Sequence, residues 1–516
     1  MAAGKAPSIL GLEDPSIFKD QAYVNGEWVE AKSGKRFEII DPGTGKPWAT
    51  CTDAAAEDVE NAVQTAYDAF LKYRTANPRQ RADKLAKWDS LIRKHKEDLA
   101  RILVYETGKP LAEALGEVEY AASFTRWFAG EAERIQGTTF TPSIPGRRVV
   151  TIKQPVGVTA ALVPWNFPIA YSGIRTRVII VTDMHSMILR KAATALAAGC
   201  TMIVKPSPET PLSALSLAHL AEQAGFEKGV LSVLPTTLAN TPALSEALCK
   251  HPLVKKVSFT GSTRVGKLLA AHCADTLKKL TLELGGNCPF LIFDDANLDQ
   301  AVEALMPLKF RHAGQACITA NRIYVQRGVY EKFSNLVAEH VGRLRVGHGI
   351  DKETTMGPLT VPAGLDKVAS QIKDATDLGA KVLTGGKRIE KDGGYYFEPT
   401  VINEVTPKMK VANEETFGPL LALLPFDTEE EAVRNANNTS MGLASYFFTK
   451  NIDRTWRLLE NLEAGMIGMN TGNASAAESP FGGIKDSGFG KESGKDVAIN
   501  EYLITKTGTL TLEGQY

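Results

Sequence analysis

ATALAAG (193–199), TMIVKP (201–206), LSALSLAHLAEQAG (212–225), VLSVLP (230–235), ALSEALCKHP (243–252) and KKVSFTGS (255–262) are the stretches whose reading decides the fold. The first, third and fifth carry apolar residues at helical spacing, and two of them close at a glycine, Gly199 and Gly225. The others are short apolar runs that read as strands. Strand and helix in alternation imply a parallel sheet covered by helices on both faces, so the chain is α/β.

The rest of the chain extends that pattern in both directions. QAYVNGEWVE (21–30) and KRFEIIDP (35–42) read as short strands around turns at Asn25-Gly26 and Pro42-Gly43. Positions 55–127 turn helical, with a break at Asn77-Pro78 and charge on the faces away from the apolar stripe. VVTIKQPVGVTAALVPW (149–165) is strand-like, split by Pro155 and Gly157. Beyond Leu282 a second α/β series begins. ANLDQAVEALMPLKF (296–310) and VYEKFSNLVAEHVGRL (329–344) are helical around the strand NRIYVQ (321–326). KVLTGG (381–386), VINEV (401–405), LLALLPF (420–426) and ASYFFT (444–449) read as strands, EEEAVRNANN (429–438) and IDRTWRLLENL (452–462) as helices. The last stretch, YLITKTGTLTLEGQY (502–516), alternates like a strand that can pair with VVTIKQP (149–155) or with another subunit.

At 516 residues the chain is too long for one core, and two or three domains are expected, with a boundary near 282. Lys plus Arg and Asp plus Glu both number 59, so no excess of charge points to nucleic acid or an anionic membrane as partner. Six cysteines without paired spacing fit a reducing compartment and speak against a disulfide framework or a structural metal. No apolar run reaches the roughly 18 residues of a membrane span. The N-terminus, with Glu13, Asp14 and Asp20, lacks the composition of a secretory or mitochondrial leader, and a cytoplasmic protein is expected.

Chemistry concentrates in TLELGGNCPF (281–290) and KFRHAGQACITANR (309–322). Glu283 precedes a glycine pair, and Cys317 follows it by 34 positions. A thiol with a carboxylate and no CxxC partner suggests a nucleophile; the plainer reading is a buried small apolar residue. His312, five residues before the thiol, is expected in solvent or bonded to backbone. FTGSTRVGKLL (259–269) follows a strand and opens a helix, a turn that can hold phosphate or can be a capped turn and nothing more. It departs from the P-loop pattern at Leu268, where a hydroxyl is needed, which disfavours a P-loop nucleotidase. VPWNFP (163–168) offers one amide, Asn166, either as a helix cap or as a donor to an oxyanion.

Together these segments resemble the aldehyde dehydrogenase superfamily along essentially the whole chain, and within it the succinate-semialdehyde dehydrogenases. ETGKPLAEALGEVEYAASFTRWFAGEAERIQG (106–137), KQPVGVTAALVPWNFP (153–168), VSFTGSTRVGK (257–267), LELGGN (282–287) and GQACITANRIYV (314–325) carry the likeness. The resemblance implies a Rossmann-like coenzyme domain (1–148 and 159–282), an α/β catalytic domain (283–490) and a small β oligomerisation arm (149–158 and 491–516). It implies Cys317 as nucleophile, Glu283 as base and Asn166 as oxyanion donor. Lys205 would hold ribose, Gly261 and Ser262 pyrophosphate, and Glu415 with Phe417 the nicotinamide riboside. Val163, Pro164, Trp165, Ser207 and Pro208 complete the coenzyme set. Arg190, Arg311, Ser475 and Phe481 would take a substrate whose far end is a carboxylate, a geometry that suits guanidinium. The implied reaction is NAD(P)-dependent oxidation of succinate semialdehyde to succinate, by a homodimer or homotetramer without a metal. Another carboxylated or aliphatic aldehyde, or a silent family member acting as a scaffold, are the alternatives.

Two departures bear on this. Pro208 stands where NAD-preferring members have an acid, which favours acceptance of NADP, although Glu209 can still reach the ribose. Sixteen residues at 171–186, YSGIRTRVIIVTDMHS, have no counterpart in the family: either a loop at the substrate mouth or a translated intron. A clean loop keeps Asn166 and Arg190 in place; a disrupted helix start loses both. Thr319 stands where some relatives have a second cysteine, so no disulfide with Cys317 is expected.

Overall fold

The computed structural model describes residues 4–168 and 187–514. Its first sheet has eight strands in the order Glu27–Val29, Ala22–Val24, Leu231–Val233, Thr201–Lys205, Val158–Leu162, Val254–Thr260, Lys279–Glu283 and Gly488–Phe489. The five from Leu231–Val233 to Lys279–Glu283 are parallel neighbours. Val158–Leu162 and Thr201–Lys205 are buried along their whole length, which is why they read as continuous apolar runs without alternation. From Val158–Leu162 the chain winds outward through Thr201–Lys205 to Leu231–Val233, then returns to the other side as Val254–Thr260. That reversal opens a crevice beyond the strand ends, where doubly wound sheets bind their ligands.

The second sheet has seven strands in the order Lys381–Thr384, Thr400–Asn403, Leu420–Phe426, Ala320–Gln326, Cys288–Ile292, Ala444–Phe448 and Met466–Met469. Lys381–Thr384 at one edge runs antiparallel; the other pairings are parallel. Arg322, fully buried in this sheet, donates from Nε to the Asn287 carbonyl at 2.9 Å and from Nη2 to that of Ala436 at 2.8 Å. The strand after Cys317 is thereby tied to the loop after Glu283. A third sheet of three strands joins Leu503–Thr511, Arg147–Pro155 and Thr139–Phe140. The C-terminal strand thus pairs antiparallel with its own chain, Leu503 opposite Pro155 and Thr511 opposite Arg147.

Where the strand Val158–Leu162 ends, the chain passes through the VPWNFP loop. The inserted stretch 171–186 lies outside the described residues, yet its flanks meet. The Met187 N–H donates to the Phe167 carbonyl at 3.3 Å and that of Ile188 to Pro168 at 3.4 Å. The helix Met187–Ala198 starts directly on the loop, and all twelve of its residues are buried, Arg190 among them. Asn166 and Arg190, on the two sides of the inserted stretch, are both buried.

One helix, Pro362–Asp377, has no counterpart among the sequence expectations. Its buried stripe, Val368, Ile372 and Ala375, is narrow, and the run of small and polar residues around it hides the period. Among the described residues no helix is long and apolar enough to cross a membrane, and no cluster of three or more His, Cys, Asp or Glu is arranged to hold a metal ion. The six cysteines are free thiols.

His348, from the second α/β series, closes onto the N-terminal hairpin, its Nε2 lying 3.0 Å from Asp41 Oδ2. Burial lowers the imidazole pKa, but the hydrogen bond and charge of Asp41 outweigh it and the net shift is upward. A raised histidine stabilises the fold below its unfolded pKa and loses that contribution as pH rises through the folded value. His348→Gln should therefore cost on the order of 1 kcal/mol near pH 6 and markedly less near pH 9, read as the difference in Tm from the parent.

Candidate active site

Glu283 ends a strand of the first sheet, and the chain then crosses into the second through Leu284, Gly285, Gly286 and Asn287. A Cβ built on Gly286 would lie 2.2 Å from the Cys317 carbonyl oxygen, so glycine alone permits this approach. Cys317 sits between a distorted turn and the strand Ala320–Gln326. In that turn His312 and Ala313 have φ of 48° and 51°, a left-handed conformation that non-glycine residues adopt at a cost. The Glu113 carboxylate takes the His312 N–H at 2.9 Å and anchors the turn.

One cavity of about 260 Å³ gathers Pro164, Trp165, Asn166, Thr260, Gly261, Ser262, Leu284, Gly285, Cys317, Lys367, Glu415 and Phe417. It opens at the reversal of strand order in the first sheet. Asn166 is buried there and donates from Nδ2 to the Gln315 carbonyl at 3.2 Å, which leaves its second N–H. Ser262 is the cap of the helix Thr263–Ala274, its Oγ taking the Val265 N–H at 3.4 Å. Glu415 accepts the Gly286 N–H at 3.2 Å, and Phe417, at φ 55°, meets the Trp165 ring edge-on at 5.6 Å between centroids.

Electrostatics separate the groups. Burial first, then the charges of Glu283 and Glu415, hold the Cys317 thiol well above its ordinary value; Arg190 pulls the other way. Glu283 is pushed up to about 8, by burial first and by Glu492 second, and neither of its oxygens has a hydrogen-bond partner among the described residues. Glu415 is raised to about 7 by burial. A buried, unbonded carboxyl beside a buried thiol is arranged for proton transfer, because nothing else holds its oxygens.

The other expected residues, Glu283 among them, are not part of the lining of this cavity. Val163 and Lys205 are joined by the Val163 N–H to the Lys205 carbonyl at 3.1 Å, and burial lowers the Lys205 ammonium to about 8. Ser207 donates to the Glu209 carboxylate, with Pro208 between them. Lys205, Ser207 and Pro208 do not line the 260 Å³ cavity; they stand beyond the next strand end. Arg190 stacks on Phe481 at 3.9 Å and Phe124 at 4.9 Å, and Ser475 lies 3.2 Å from the Tyr120 hydroxyl. Arg311 lies over the Phe167 ring at 5.2 Å. His312 is not in solvent: its ring is wholly buried between Trp165 and Phe167, at 5.9 and 5.5 Å. Burial holds it well below its usual pKa, so it is neutral and unsuited to a Cys–His ion pair. Lys367, on the helix missed in the sequence, lines the cavity, and its charge acts on Glu415.

The aldehyde dehydrogenase family model matches residues 28–508. The chain belongs to that family. It is 47% identical over 97% of its length to succinate-semialdehyde dehydrogenase [NADP(+)] 1 of Schizosaccharomyces pombe, covering 97% of that protein. It is equally 47% identical to 3-sulfolactaldehyde dehydrogenase of Pseudomonas putida, over 96% of this chain and 98% of that one. The crystal structure of succinate-semialdehyde dehydrogenase from Burkholderia pseudomallei superposes with a TM-score of 0.92, at 46% identity, over 97% of this chain and all of that one. The protein is an NAD(P)-dependent aldehyde dehydrogenase.

The cavity offers groups that suit the phosphates of such an enzyme's coenzyme. Its walls include the N-terminus of a helix, whose first-turn N–H groups suit a pyrophosphate, and Gly261, where a Cβ would lie 2.4 Å from the Phe259 ring. Because the Cys317 thiol is raised, its alkylation by iodoacetamide should speed up continuously to above about pH 9. Peptide mass spectrometry against pH checks this; a plateau reached near pH 7 would contradict it.

Proposed function

We propose that this enzyme oxidises a short aldehyde with an anionic far end, succinate semialdehyde foremost, to the corresponding acid through a thioester on Cys317. The observation that carries the proposal is the position of Arg190. It is fully buried, stacked on Phe481, and close enough for its charge to act on both Cys317 and Glu283. A guanidinium held on an aromatic face, with Ser475 and Arg311 as further donors, can take the distant carboxylate bidentately. The names of the relatives support an anionic substrate and differ in the anion: a carboxylate in one, a sulfonate in the other.

In this reading the ionised Glu283 takes the Cys317 proton and releases it to solvent, Sγ adds to the aldehyde carbon, and the second N–H of Asn166 with the Cys317 N–H receives the oxyanion. The coenzyme, when bound, accepts the hydride that leaves that carbon. Glu283 then takes a proton from the water that attacks the thioester, and the acid departs as the thiol is restored. Lys205 and the turn at Gly261 and Ser262 would hold the coenzyme, Glu415 and Phe417 its nicotinamide end. Glu209, engaged by Ser207, with Pro208 between, supports acceptance of NADP alongside NAD. We read the first sheet as the coenzyme domain, the second as the catalytic domain, and the three-stranded sheet as an oligomerisation arm. Phe140, Val150, Ile152 and Leu510, exposed on or beside that arm, support a homo-oligomer.

Two outcomes test the reading. Arg190→Leu should lower the ratio of kcat/KM for succinate semialdehyde to that for butanal by about 100-fold, whereas an unchanged ratio removes the carboxylate assignment. Because Glu283 is a base only once ionised, thioester hydrolysis should climb through about pH 8 and level off above about pH 9. Glu283→Gln should flatten that limb and slow the step by about 100-fold, measured by single-turnover kinetics.

A further inference from the structure

The helix Leu111–Ala132 carries two buried carboxylates four residues apart, Glu113 and Glu117. Glu113 anchors the left-handed turn before Cys317, as described above. Glu117 forms an ion pair with Lys109, whose side chain is likewise wholly buried. The same ammonium donates to the Asn166 carbonyl oxygen at 3.0 Å and lies 4.3 Å from the centre of the Phe167 ring. Asn166 is therefore gripped twice: its carbonyl by Lys109, its side-chain amide by the Gln315 carbonyl two residues before the thiol. Gln315 is itself fixed, its Oε1 taking the Thr360 N–H at 3.0 Å and its Nε2 donating to the His312 carbonyl at 2.8 Å.

A wholly buried ion pair is weak evidence for stability, because desolvating both charges offsets most of their attraction. The same ammonium also holds the peptide that carries the amide. We propose that Lys109, held by Glu117, is a positioning residue that sets the Asn166 amide against the carbonyl oxygen of the reacting aldehyde. The proposal rests on the reading of Asn166 as oxyanion donor. Oxyanion donors work by preorganisation: a peptide free to rotate would lose the hydrogen bond when charge develops. Lys109 holds the peptide by its carbonyl and does not line the 260 Å³ cavity.

The working variant is Lys109→Met/Glu117→Leu, which removes both charges of the pair together. It should lower kcat for succinate semialdehyde by about 10- to 100-fold and leave the KM for NADP within about twofold. In an Asn166→Ala background the same double change should cost less than about twofold, since the pin acts only through Asn166. Should the double variant fail to fold, Lys109→Arg in the same two backgrounds carries the same expectation of a loss confined to the Asn166 enzyme. An equal loss in both backgrounds, or a rate within about twofold of the parent, overturns the proposal. An Asn166→Ala enzyme of undiminished rate overturns instead the oxyanion reading beneath it.

Discussion

The absence of room at Gly286 is the constraint on which the site depends. The Cys317 carbonyl fills the space a side chain would need, so the chain leaving Glu283 must pass directly against the nucleophile's backbone. Two sheets are joined at that crossing, and their junction brings the acid of one to the thiol of the other. The Arg322 guanidinium holds the same crossing from the far side through the Asn287 carbonyl. Both contacts are made to backbone carbonyls, which fixes how closely the two stretches of backbone approach at the crossing.

Dehydration is the second consequence of that geometry. Glu283, Glu415 and Cys317 are all raised by burial, and each raises the thiol's own cost of ionising. At neutral pH the thiol and Glu283 are therefore mostly uncharged at rest, and charge on the sulfur appears only as the reaction proceeds. Fixed donors are worth most in such surroundings, because no water competes for the developing oxyanion. The buried arginine opposes the carboxylates at the thiol and eases ionisation of the sulfur.

The alternation of helix and strand from 193 to 262 made the first sheet legible, because strands buried on both faces leave an unbroken apolar signature. The capped turn at Ser262 was legible locally, and the C-terminal stretch read as a strand from its alternation, but its partner stayed open between 149–155 and another subunit. The cavity that unites Asn166, Cys317, Glu415 and Phe417 was not, since those positions are up to 251 residues apart and only the resemblance linked them. His312 misled: a histidine near a cysteine is usually wet, and nothing local reveals that two aromatic rings from 165 and 167 enclose it. Lys109, Glu113 and Glu117 were passed over as part of a charged helix face. Their burial comes from contacts with the VPWNFP loop and the turn at 312, which periodicity alone does not encode.

The central claim is that the oxidised carbon is carried on the Cys317 sulfur. The Glu283→Gln enzyme, mixed with succinate semialdehyde and NADP and quenched in acid after one turnover, should hold a succinyl group on the peptide containing Cys317, found by mass spectrometry. Stoichiometric reduction of the coenzyme with no acyl group on that peptide, or with the group on another residue, would contradict the account.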